Sequence, residues 1–112
     1  MSLKTRLKAG RLWADGRVTI DIYEPAGPNG GPSFMALVRG DTNGYAVTCG
    51  PDSVWRCPCQ SFVTCSHLAA CWIGLELTLL EDGRWSEWHE VWEPTVAARL
   101  AADAADNEEA LR

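Results

Sequence analysis

Three cysteines and a histidine fall within eleven residues, as Cys57, Cys59, Cys65 and His67 in the pattern C-x-C-x5-C-x-H. Thiolate sulfur and imidazole nitrogen are the donors that a tetrahedral metal site takes, and zinc is the metal that most often takes them. Four protein donors leave no position open for water, so the chemistry is that of a structural ion and not of a catalytic one. Three thiolates around Zn2+ carry a net charge of about −1, which the free N–H groups of a helix N-terminus can offset. Sulfur-rich sites also hold iron–sulfur clusters, which is the competing use of these residues. Cys71, four residues after His67, can reach the same helix face and replace Cys65 or His67; Cys49 can cross from the preceding strand. Buried cysteines are more often core residues than ligands, and that is the default for both.

The elements around the cluster must bring its two halves together. Cys57 and Cys59 sit two apart, on one side of an extended segment, and Pro58 between them suits a strand end turning away from a sheet. Cys65 and His67 are also two apart, a spacing that splays side chains on a helix. The pair converges only if Cys65 precedes a helix and His67 lies in its first turn, which Ser66 as N-cap arranges. That helix runs over residues 66–80 and stops near Asp82-Gly83, where Gly takes the left-handed position. It is apolar on most sides, so a sheet covers one face and Trp85, Trp88 and Trp92 are the expected cover for another.

Ahead of the cluster the pattern predicts an antiparallel meander of about five short strands. Residues 11–14 and 17–23 flank Asp15-Gly16, a two-residue hairpin signal. Val18, Ile20 and Ile22 alternate with polar neighbours, so they mark one buried face. Residues 24–32 form a loop with Asn29-Gly30-Gly31 at its tip. Strands follow at 33–39, 45–49 and 53–57. Residues 1–10 read as irregular or briefly helical. Pro94 opens a last helix, from Thr95 to about Ala105. The fold class is α+β in a single domain, 1–112. Its core spans 10–83 and the metal-binding part about 44–80, with a Trp-rich, acidic helical extension over 84–112.

Composition bounds the function. The chain has 112 residues, 46% of them hydrophobic and 22% charged, the balance of a globular domain. No apolar stretch is long enough to span a membrane, and the basic N-terminus has no apolar run after it that would make a secretory signal. A cytoplasmic setting follows as an expectation, and clustered thiols there bind metal more often than they form bridges. Net charge is −5 but uneven. Lys4, Arg6, Lys8, Arg11 and Arg17 oppose only Asp15 in the first 17 residues, whereas ten acids oppose three arginines over residues 76–112. A basic head beside an acidic tail leaves one face able to meet a phosphate backbone.

Cys57-Pro58-Cys59, Cys65-Ser66-His67 and the Leu68-Ala69-Ala70 that follows resemble the SWIM-type zinc finger, whose signature is C-x-C, a variable gap, then C-x-H. Tyr45-Ala46-Val47 is similar to the aromatic-and-Val strand ahead of the first pair in that family, and Phe62 to its aromatic in the gap. The likeness covers about residues 44–75. It implies a β-hairpin packed on a short helix around one structural zinc held by Cys57, Cys59, Cys65 and His67. It also implies either DNA binding or protein–protein contact. Many members carry Lys where this chain has Ser66.

Two roles follow. In the first, Lys4, Arg6, Lys8, Arg11, Arg17 and Arg56 contact nucleic-acid phosphates, with Arg39 as a further contributor, while the metal holds the scaffold. In the second, the Trp-rich segment 85–92 anchors a protein partner. No Ser/His/Asp set, phosphate-cradling glycine loop or open metal position points to an enzyme or a small-molecule substrate, and His89 reads as a surface or packing residue.

Overall fold

Ser2 starts the chain's first element. Its hydroxyl accepts from the Thr5 N–H at 3.1 Å, an N-cap that launches helix α1 (Leu3–Ala14). The computed structural model describes residues 1–26, 30–59 and 63–110, with side chains to residue 104. The helix corrects the hairpin expected at Asp15-Gly16. Gly16 has φ +70°, its N–H donates to Trp13 O at 3.0 Å, and the Arg17 N–H donates to Leu12 O at 3.0 Å. That is a Schellman helix end. A left-handed glycine serves a hairpin turn and a helix C′ position equally well, so the Asp-Gly pair alone does not choose between them. Helix α2 (Ser66–Glu81) ends the same way at Gly83, φ +72°, as expected.

With residues 11–14 in a helix, the sheet has four strands and not five: β1 (Val18–Glu24), β2 (Ser33–Arg39), β3 (Gly44–Cys49) and β4 (Trp55–Arg56). All are antiparallel, in the order β1-β2-β3-β4. The β2 alternation is clean. Phe34, Ala36 and Val38 are buried, and Met35, Leu37 and Arg39 face outward. In β1 the expected buried face fails at its far end. The register slips between Ile20 and Ile22, so Ile22 lies opposite the exposed Met35 and Tyr23 opposite the buried Phe34. The bulge sends Ile22 out to 37% exposure and turns Tyr23 toward the core. The loop tip at Asn29 lies outside the described residues.

Helix α2 packs on the sheet and carries Leu68, Ala69, Ala70, Cys71, Leu75 and Leu79 into the core. Its other cover is largely α1, not the tryptophans alone. A Cβ on Gly74 would stand 2.4 Å from the Trp13 ring, so the missing side chain is what lets the two helices meet. Trp88 and Trp92 do reach the core, at 6% and 0% exposure, while Trp85 stays exposed. Trp55 is the aromatic hub. Its ring centroid lies 4.9 Å from Phe34, 5.9 Å from Trp72 and 6.2 Å from Trp92. Its Nε1 donates to Thr95 Oγ1 at 2.9 Å.

The last helix begins earlier and ends later than expected. Helix α3 (Trp85–Glu87), a wide π turn (Trp88–Trp92) and helix α4 (Glu93–Ala110) run end to end. Pro94 has no N–H and its ring crowds the preceding turn. The chain absorbs this by widening: the Glu93 N–H reaches back five residues to Trp88 O. The proline therefore sits inside a continuous helical run. His89 is exposed and pairs with Glu93 at 3.0 Å, a surface histidine as expected. Among the described residues, no helix is long and apolar enough to cross a membrane.

Candidate metal centre

Strand β4 delivers Cys57 and Cys59, and α2 delivers Cys65 and His67. Cys65 is the N-cap itself, one residue ahead of the expected Ser66. Its Sγ accepts from the Leu68 N–H at 3.5 Å, so the orphan N–H of the helix start is aimed at a sulfur. His67 sits in the first turn, as the spacing requires. The four donor atoms lie within 4.8 Å of one another. Cys57 Sγ and His67 Nδ1 are 3.7 Å apart. Tetrahedral zinc with ordinary Zn–S and Zn–N lengths sets S and N about 3.6 Å apart. Donor type, number and spacing therefore fit one ion, and Cys57, Cys59, Cys65 and His67 can hold it. The residues joining the two pairs, 60–62 with Phe62 among them, lie outside the described residues.

Burial pushes the Cys57 and Cys65 thiols up; the charge of Cys65 adds to this at Cys57 and the Cys59 thiol adds to it at Cys65, where the Cys57 side chain acts the other way. The Leu68 N–H acts against the rise at Cys65. Burial, followed by the charge of Lys8, pushes the His67 imidazole down and keeps it neutral. Crowded thiols that resist ionising, beside a neutral imidazole, are the state that a divalent cation reverses. Tyr45 of β3 lies over the His67 ring, with centroids 4.2 Å apart and planes tilted by 30°.

Neither remaining cysteine joins the cluster. Cys49 and Cys71 are buried core residues at 2% and 0% exposure, and burial raises their thiols to about 11 and about 12. The six basic residues read as phosphate contacts divide three ways. Lys4, Lys8, Arg11 and Arg17 line one groove of about 570 Å³ beside α1, with Leu3, Leu7, Leu12, Asp15 and Asp41. Arg6 faces a second groove, of about 510 Å³, between α1, α2 and α4. Arg56 is held by Asp52 at 2.8 Å at the hairpin end and lies in neither groove.

The sequence pattern left out three residues that touch the ligand arms: Thr64, Arg99 and Asp103. Arg99 and Asp103 sit four apart on a helix, which signals an ion pair but not its targets. No family model, curated protein or solved structure matches the chain.

Proposed function

We propose that this protein is a zinc-clamped module of the SWIM type whose α1 face binds the phosphate backbone of nucleic acid. The β3–β4 hairpin, followed by the ligand-bearing start of α2, supports the family reading. The observation that carries the function is the groove lined by Lys4, Lys8, Arg11 and Arg17. Lys4, Lys8 and Arg11 make no ion pair with a described residue, whereas Arg17 donates from Nη1 to Gly40 O at 3.1 Å and approaches Asp41 at 4.0 Å. Cations held on one helix face and left unpaired are what an anionic polymer displaces its counterions to reach. A Cβ on Gly40, next to the groove residue Asp41, would lie 3.8 Å from His67 Nε2, so the basic face adjoins the metal centre. Zinc in this reading is structural and performs no reaction.

Gel-shift titration across salt tests the proposal. Wild type binds at low salt, and log affinity falls with log salt at a slope of about −0.9 per phosphate contacted on duplex DNA. The triple variant Lys4→Gln, Lys8→Gln, Arg11→Gln flattens that slope by roughly 3. Wild-type affinity in the triple variant overturns the reading.

One observation favours the protein-adaptor alternative. The second groove is mostly apolar, with Leu3, Leu7, Ile73, Trp88, Val96 and Leu100 along it. Leu3 and Leu7 are 70% and 56% exposed. Trp92 is wholly buried and takes no part in such a surface.

A further inference from the structure

We infer that Arg99 and Asp103 of α4 are positioning residues of the metal centre and grip both ligand arms from outside it. The inference rests on Cys57, Cys59, Cys65 and His67 holding a metal. Asp103 Oδ2 accepts from the Thr64 N–H at 2.7 Å and from the Thr64 hydroxyl. Thr64 is the residue before Cys65 and is 6% exposed. Arg99 donates from Nε to Asp103 Oδ1 at 3.2 Å and from Nη1 to Trp55 O at 2.8 Å. Trp55 lies two residues before Cys57. One ion pair on successive turns of a single helix thus bonds the backbone of both arms.

The bonds are directed at the point of need. The two arms come from a strand end and a helix start, and their thiols repel one another once ionised. An arm free to drift must be ordered when the ion binds, and that ordering subtracts from affinity. Asp103 and Arg99 hold the arms before the ion arrives. The pair is itself anchored: their side chains are only 15% and 23% exposed, and one turn earlier on the same helix Thr95 Oγ1 accepts from Trp55 Nε1 at 2.9 Å in the core. Groups that orient metal ligands typically change affinity by about 10- to 100-fold when removed. Here they come from the C-terminal helix, outside the stretch in which the ligand motif lies.

Competition with a chromophoric zinc chelator tests this on wild type, Asp103→Asn, Arg99→Gln and Glu87→Gln. Glu87→Gln breaks a different arginine pair, Arg84–Glu87, that touches neither arm. It measures what general loosening of the helical tail does. The expected result is a dissociation constant raised about 10-fold or more in Asp103→Asn and Arg99→Gln. Zinc loss to excess chelator is faster in both, and Glu87→Gln stays within about twofold of wild type. The Co2+-substituted variants keep the tetrahedral d–d bands of wild type, because the ligands are unchanged. Equal shifts in all three variants, or no shift in the first two, overturn the inference. Failure of wild type to bind Zn2+ or Co2+ overturns the metal reading itself, and so is distinguishable. If Asp103→Asn does not fold, Thr64→Val removes one of the same bonds and is judged by the same criteria.

Discussion

Burial holds the Cys49 thiol and the Cys57 and Cys65 thiols protonated alike, yet the two sets answer pH in opposite ways. The Cys49 thiol ionises near 9.0 in the unfolded chain and near 11 in the folded one, because burial and then Asp52 oppose its charge. The folded state binds more protons in that window. Its contribution is fully present below 9 and is lost as pH rises toward 11. Denaturant midpoints measured from pH 8 to 11 should fall, and Cys49→Ala should flatten the fall. At the metal centre the same proton is a competitor. Zinc affinity rises with pH, and at pH 7.5 calorimetry in buffers of different ionisation enthalpy should find a proton released from each ligand cysteine and none from His67, which is already neutral. A proton released from His67 as well would mean that its surroundings differ from those described. The donor set was legible in the residues because spacing and type suffice for it. Its partners were not: Thr64, Tyr45, Arg99 and Asp103 are ordinary residues until the fold brings them alongside.

Elements were read correctly wherever periodicity had one meaning. The alternation of Val18 and Ile20 with Thr19 and Asp21 marks a strand with one buried face, and β1 is that strand as far as its bulge. The turn signals were read less well because the same residues serve two devices. Gly16 looked like a hairpin turn and is a helix end; Pro94 looked like a helix start and lies within a helical run whose turn widened around it. The cost of the first misreading was α1, and with it the surface on which Gly74 meets Trp13. Two substitutions test these contacts. Gly74→Ala drives a methyl into the Trp13 ring from 2.4 Å, and overpacking of this kind costs about 1–3 kcal/mol, read as a lower thermal midpoint. Ser53 holds φ +62° in the β3–β4 turn, a conformation that costs a non-glycine residue about 1 kcal/mol. Ser53→Gly should leave the midpoint unchanged or raise it by a few degrees. A clear fall would show that the turn draws stability from the serine side chain.

At the scale of the whole molecule, two centres hold the chain. One is the aromatic and aliphatic core shared by the sheet, α2 and the π turn, with Trp55 and Trp92 inside it. The other is the cluster of Cys57, Cys59, Cys65 and His67 at the joint between β4 and α2, which can hold one ion. A structural zinc contributes roughly 10–16 kcal/mol where it is the only organiser of a fold. Here the sheet and helices have an apolar core of their own that meets the cluster only at its edge, through Cys57 and Cys65, so chelation should open the joint and spare the rest. Amide exchange after EDTA treatment should show protection lost around residues 55–68 and kept in β1 to β3. Loss everywhere at once would mean that the core cannot stand without the ion. The α+β class and the meander were legible at this scale. The attachment of the last helix to the metal joint was not, because it rests on two hydrogen-bonded arms far from α4 in sequence.

That attachment has a consequence for the order in which the protein can be made. Synthesis proceeds from the N-terminus, and Cys57 to His67 leave the ribosome ahead of Arg99 and Asp103 by on the order of seconds. A nascent chain therefore has all four donors before it has the bracket that steadies them. On the role inferred for that pair, an ion captured in that interval would be held by loose arms and easily exchanged, so a wrong metal would still be given up. Arrival of the C-terminal helix would then close that period and turn a provisional choice of metal into a lasting one.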